Sequence, residues 1–164
     1  DFFARSAIID YDVAFELSQS MLKQLAPYAE KQGVVIGIEN IWNKFLLSPL
    51  EMRDFIDSIG SPFVQVFLDV GNMVLFGYPQ HWIKILNHRI KKVHFKDYRR
   101  GANGLSGFVD LLAGDVDWKA VIEAFDKIGY DGWASAEMCP TYAQYTDQMI
   151  YNASAAMDRI LRRK

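Results

Sequence analysis

Cysteine occurs once in these 164 residues, at Cys139, so no intrachain disulfide framework exists and a reducing cytosol is the expected compartment. Neither charge sign dominates: 18 Lys+Arg stand against 20 Asp+Glu, a net charge of −2. Such a balance offers no long-range attraction to nucleic acid or to an anionic membrane. Apolar runs are only a few residues long, far short of the about 20 that span a bilayer. The chain opens Asp1-Phe2-Phe3 without an initial Met, and neither a signal peptide nor a transit peptide is expected from these residues. Disorder is excluded by the content that remains, 51% hydrophobic and 14% aromatic. Length and composition together fit one globular domain.

Helical and strand-like patterns alternate along the chain. Val13, Leu17, Met21, Leu25 and Tyr28 recur at helical spacing over residues 12–32, with Asp12 as a candidate N-cap and Gly33 as the stop. Residues 34–40 are β-branched without alternation, which suits a strand buried on both faces of a parallel sheet. Ser48-Pro49-Leu50-Glu51 reads as a helix start with a capping box, and that helix runs to Ile59 before Gly60. A second strand covers 63–69, a helix 79–87, and a third strand 90–96. Residues 98–114, with four glycines and no period, read as a long loop of functional interest. A helix over 118–128 follows, capped by Asp115 or Asp117, then a fourth strand over 132–138 and a last helix over 142–162. Strands joined by helices imply parallel pairing with right-handed crossovers. This pattern fits either an open doubly wound sheet or part of a (β/α)8 barrel, which needs about 250 residues.

The chemistry lies at the strand ends, which finish at Glu39, Asp69, His94 and Glu137. In parallel α/β folds these ends face the ligand site. Any one of the four has an ordinary explanation: a helix cap for Glu39, a turn cap for Asp69, a satisfied polar residue for His94. Together, three carboxyl groups around one centre would repel or take up protons, whereas a cation satisfies all of them at once. This oxygen-rich set with one imidazole favours Mn²⁺ first, with Mg²⁺, Co²⁺ or Zn²⁺ also acceptable. Lys96, two residues beyond His94, shares its side of the strand. Arg99 and Arg100 open the long loop, and either could hold a phosphate by a charge-assisted fork. Trp42 and Trp118 are candidates for a pocket wall. His81 and His88 fall on the helical layer, away from the strand-end rim.

The segments Gly37-Ile38-Glu39-Asn40, Phe67-Leu68-Asp69-Val70-Gly71-Asn72, Val93-His94-Phe95-Lys96-Asp97, Gly114-Asp115-Val116-Asp117-Trp118 and Gly129-Tyr130-Asp131-Gly132-Trp133 with Glu137, taken as an ordered set, carry a resemblance. The chain resembles the sugar isomerase/epimerase superfamily of xylose isomerase-like TIM barrels, above all ketose 3-epimerases and hexulose-phosphate isomerases, over residues 12–162. The resemblance implies one divalent metal held by Glu39, Asp69, His94 and Glu137. It also implies acid/base roles for Glu39 and Glu137 in an enediolate reaction on a ketose or ketose phosphate, and substrate contacts from Asn72, Lys96 and Arg100. Some relatives carry His where Asn72 stands. Family members have eight strands and this chain matches the last four βα units, so residues 1–164 are expected to be a C-terminal half-barrel. Residues 1–9 would then be the tail of a preceding strand or its loop. A half-barrel leaves two sheet edges open, so an N-terminal half or a second copy is the expected partner, in an assembly expected to be homo-oligomeric. Neither nucleic acid nor membrane is expected. The abasic-site endonuclease branch is disfavoured by Asn72, by the lack of any His after His94 and by the −2 charge. An inosose-type dehydratase, using the same metal logic, and a non-catalytic sugar-binding half-barrel remain as alternatives.

Overall fold

The computed structural model describes residues 8–139 and 141–163. Most of the stretch expected to be a preceding strand or loop, residues 1–7, lies outside them, while Ile8 and Ile9 are exposed and without regular structure. Four strands form one parallel sheet in the order β1-β2-β3-β6: β1 is Ile36–Glu39, β2 Val64–Asp69, β3 Ile90–Phe95 and β6 Trp133–Ala136. Between them run α1 (Tyr11–Gln32), before β1, then α2 (Pro49–Ile59), α3 (Pro79–Leu86) and α4 (Trp118–Ile128), with α5 (Thr146–Ile160) after β6. This is the α/β arrangement of a partial TIM barrel, four parallel strands each followed by a helix.

Local chemistry sets the helix boundaries. The Ser48 hydroxyl accepts the Glu51 N–H, Pro49 sits in the first turn, and Gly60 closes α2 in the left-handed conformation. The Glu51 carboxyl does not complete a capping box on Ser48. It accepts instead from the Leu47 N–H, one residue earlier, and from the Tyr11 hydroxyl. At α1 the cap position belongs to Asp10, not Asp12. At α4 the Asp117 carboxyl accepts the Ala120 N–H, and Gly129 ends the helix at φ 65°.

Alternation then sorts the strands into two faces. Val64, Val66 and Leu68 of β2, with Val93 and Phe95 of β3, are buried against Met52, Phe55 and Ile56 of α2, Ile83 and Leu86 of α3, and Val121 and Phe125 of α4. Gln65, Phe67 and Asp69, and across from them Lys92 and His94, share the other face. No helix of the described residues covers that face, so β1 is half-buried rather than buried on both sides, and Trp133 is 83% exposed. The long loop is more ordered than its composition suggests. Asp97–Tyr98 (β4) pairs antiparallel with Phe108–Val109 (β5), with two short 3₁₀ turns between them. The last helix begins at Thr146, four residues later than its pattern predicts, after Tyr145 in a left-handed conformation. No helix of the described residues is long and apolar enough to cross a membrane.

Candidate metal and sugar site

Strand register brings the acidic residues to one place. Asp69 pairs directly with His94, while Glu39 pairs with Phe67 and His94 with Ser135, each two residues short of Asp69 and Glu137. The site residues are therefore offset by two positions between β1 and β2 and between β3 and β6 and level between β2 and β3, and β1, β2, β3 and the residue after β6 each deliver one side chain to one end of the sheet. One ligand atom from each of Glu39, Asp69, His94 and Glu137 lies within 4.8 Å of every other. His94 Nδ1 is 3.0 Å from Glu39 Oε1, 3.2 Å from Glu137 Oε2 and 3.9 Å from Asp69 Oδ2. The imidazole leans on the Phe67 ring, with centroids 4.1 Å apart.

Asp69 is the buried member of the four. Its Oδ1 accepts the Asn72 N–H at 2.7 Å, whereas its Oδ2 and Glu137 Oε2 are buried without a hydrogen-bond partner among the described residues. Lys96 Nζ stands 3.4 Å from the first of these oxygens and 2.8 Å from the second, near enough to neutralise charge without well-formed hydrogen bonds. Burial pushes the Asp69 carboxyl up to about 8, against the opposing Lys96 charge and the Asn72 N–H. Burial also pushes Glu137 upward, but the Lys96 ammonium outweighs it and holds Glu137 below its ordinary value. Desolvation pulls the Lys96 ammonium down, and Asp69 with Glu137 more than reverses this, leaving it raised. Two buried oxygens lacking donors beside an imidazole nitrogen are a donor set suited to a hard divalent cation.

Two asparagines hold the strand ends in register. The Asn40 side chain donates to the Asp69 carbonyl and accepts the Asp69 N–H, each at 2.8 Å. Asn72 Nδ2 donates to the Asn40 carbonyl at 3.0 Å, and Asn72 Oδ1 faces Lys96 Nζ at 3.4 Å. A cavity of about 420 Å³ opens beside the cluster, lined by Glu39, Asn72, Lys96 and Glu137 on its polar side and by Trp42 and Phe108 among its apolar residues. Lys96 Nζ lies 4.8 Å from the Phe108 ring centre.

The structure thus brings Glu39, Asp69, His94, Glu137, Asn72 and Lys96 together. It does not bring Arg100 to them: its Nε donates to the Val74 carbonyl at 2.8 Å and its guanidinium lies over Tyr78. Arg99 donates to the Ala113 carbonyl. Of the two tryptophans, Trp42 walls the cavity, while Trp118 is buried away from it against Phe95. His81 stacks on Tyr78, and His88 lines a separate cavity with Asn87 and Tyr130. Sequence reasoning assigned no role to Asn40 or to Asp97, because most of their partners, backbone groups and the Trp118 indole, are distant in sequence.

The profile of the xylose isomerase-like TIM barrel family matches residues 4–158. The chain belongs to this family. Among curated relatives, the 2-epi-5-epi-valiolone 7-phosphate 2-epimerase of an Actinoplanes species is 30% identical over 97 residues, which are 58% of this chain and 34% of that enzyme. Among solved structures, the D-psicose 3-epimerase of Clostridium cellulolyticum H10, crystallised with D-tagatose, superposes with a TM-score of 0.77 at 19% identity, over 98% of this chain and 60% of that one. The IOLI protein with a zinc atom bound also gives 0.77, at 20% identity, over 95% and 59%. At such identities the structural likeness concerns the fold. The chain spans about a third of this curated epimerase and three fifths of these solved chains.

Proposed function

We propose that this chain carries the metal and acid/base residues of a divalent-metal-dependent isomerase or epimerase acting on a ketose or ketose phosphate. The observation that carries the reading is the convergence of four ligand atoms, from four separate strand ends, within 4.8 Å of one another. Glu39, Asp69, His94 and Glu137 would hold the ion, Mn²⁺ by preference. Bound there, a divalent ion supplies positive charge against which the oxygens of an enediolate are stabilised. That the relatives named above include sugar epimerases, and that one neighbour holds zinc, supports the same reading.

The chain's own residues then divide the work. Glu39 and Glu137 reach the centre from the two outer strands of the sheet and are the acid and base. One removes the proton beside the carbonyl, and the other returns a proton to the opposite face, inverting the carbon. Return by the same carboxyl to the neighbouring carbon gives aldose–ketose isomerisation. Lys96 is placed to hold a substrate oxygen beside Glu137, Asn72 borders the same cavity, and Trp42 with Phe108 excludes water from one side. Arg100 remains a substrate contact only for a ligand reaching beyond the cavity. The test is exchange: full-length protein with Mn²⁺ in D₂O, presented with ketoses and ketose phosphates. Deuterium at the carbon next to the carbonyl is expected for at least one substrate, and its absence from all of them contradicts the reading.

The same proposal treats residues 1–164 as four βα units of an eight-stranded barrel. Among the described residues, strands β1 and β6 are unpaired on their outer sides, and Leu17, Met21, Leu25 and Tyr28 of α1 form an exposed apolar stripe. Four further βα units, or a second copy in their place, would cover both.

A further inference from the structure

Asp97 is fully buried one residue beyond Lys96, and nothing in the reaction above uses it. Four N–H groups converge on its carboxyl group. Oδ1 accepts from Tyr98 N at 2.9 Å and Val116 N at 3.2 Å, and Oδ2 from Leu112 N and the Trp118 indole, both at 3.0 Å. Those donors span the whole excursion between β3 and α4. Gly114 has no side chain where the carboxyl group passes, and any Cβ there would collide with it. Further bonds fasten the segment: Arg99 N–H to the Gly107 carbonyl, Asp115 N–H to the Tyr98 carbonyl, and the Tyr98 hydroxyl to the Gly104 carbonyl. What this clasp holds against the cavity is an aromatic wall, with Trp42 and Phe108 lining it and the buried Tyr98 behind them. Tyr98 meets Trp42 and Phe108 edge-on at 5.3 and 5.1 Å, Trp42 and Phe108 lie 5.0 Å apart, and Phe108 faces Lys96.

We propose that Asp97 is a positioning residue: by gathering four N–H groups of the 98–118 segment, it fixes the Trp42–Tyr98–Phe108 wall and so the orientation in which a sugar meets Glu39 and Glu137. The proposal rests on the reading of the site as a sugar isomerase or epimerase. The metal-binding side chains do not depend on this clasp, since they stand on β1, β2, β3 and the residue after β6. Metal affinity and substrate recognition should therefore separate.

Full-length wild type, Asp97→Asn and Trp118→Phe are compared by calorimetric titration with Mn²⁺ alone, by KM and kcat on the ketose identified in the exchange panel, and by amide hydrogen exchange at Leu112 and Val116. In Asp97→Asn the Mn²⁺ affinity stays within about two-fold, while KM rises at least about ten-fold, the scale of one well-made buried hydrogen bond, and kcat changes less. Trp118→Phe, which removes a single donor, moves KM in the same direction by about three-fold and serves alone if Asp97→Asn does not fold. A folded variant with unchanged KM overturns the proposal, as does parallel loss of Mn²⁺ affinity and KM. Should wild type turn over no ketose, the functional reading fails on its own, and amide exchange decides about the clasp. Faster exchange at Leu112 and Val116 with Mn²⁺ affinity retained supports it, and unchanged protection overturns it.

Discussion

Asp69 keeps one oxygen on the Asn72 N–H and leaves the other buried without a donor. An uncompensated buried oxygen is expensive, and a shared cation removes the expense. Replacing Glu39 or Glu137 with Gln should lower turnover by at least about two orders of magnitude, the usual weight of a positioned acid or base. His94→Ala should first raise the Kd for Mn²⁺, by at least about ten-fold in titration calorimetry. An Asp or Glu variant that keeps full activity contradicts the assignment of that residue. Gly71 makes a separate prediction. A Cβ there would sit 2.7 Å from the Lys96 carbonyl oxygen and 2.8 Å from Lys96 Cβ. Gly71→Ala should displace Lys96, lower the melting temperature by the equivalent of about 1–3 kcal/mol, and reduce kcat. Thermal melts and steady-state kinetics read both effects. The convergence of Glu39, Asp69, His94 and Glu137 was legible in the sequence because each falls at or beside a strand end in a parallel α/β pattern. Asn40 and Asp97 were not, since Asn40 binds backbone groups about 30 residues away and Asp97 binds backbone N–H groups up to 19 residues away and the Trp118 indole.

The elements were legible wherever side-chain chemistry is local. Ser48, Asp117, Gly60 and Gly129 mark helix ends that the structure keeps. The 98–117 segment was not legible as structure: its order comes from a short β4–β5 pairing and from bonds to Asp97, neither of which has a periodic signature. The start of α5 slid to Thr146 for a comparable reason, because Tyr142 is held by Asp110 in the facing loop. Elements are also joined by charge. Arg89, after α3, makes a two-pronged bond to Asp57 of α2 at 2.6 and 2.7 Å. The Arg89 hydrogen bond holds the Asp57 carboxyl below its ordinary 3.8, even though desolvation opposes it. An acid whose folded pKa is depressed stabilises the fold above its unfolded pKa and loses that contribution as pH falls through the folded value. Arg89→Ala should therefore destabilise at neutral pH, by no more than about 1 kcal/mol because Asp57 is half-exposed. The difference from wild type should be smaller at pH 3 than at neutral pH, because the unfolded carboxyl takes up its proton from about pH 4 downward, and it vanishes only below the folded value. Denaturant titrations at the two pH values test it.

At the scale of the molecule, the helices are packed on one face of a four-stranded sheet and the site-bearing face lies open. The half-barrel expected from the sequence accounts for both unpaired edges and for the apolar stripe of α1, whose helical spacing was plain in the sequence while its outward direction was not. The 164-residue chain produced alone should self-associate in a concentration-dependent way by light scattering, and a monodisperse monomer would count against the half-barrel. Metal should also hold the molecule together: at 100 times its Kd a bound ion adds about 2.7 kcal/mol of stability, so chelation should lower the melting temperature measurably. The most direct measurement is anomalous diffraction from crystals of the full-length protein grown with Mn²⁺. We expect one strong peak about 2.1 Å from a nitrogen of His94 and from an oxygen each of Glu39, Asp69 and Glu137. No peak among these four side chains, or a peak elsewhere, would contradict the account.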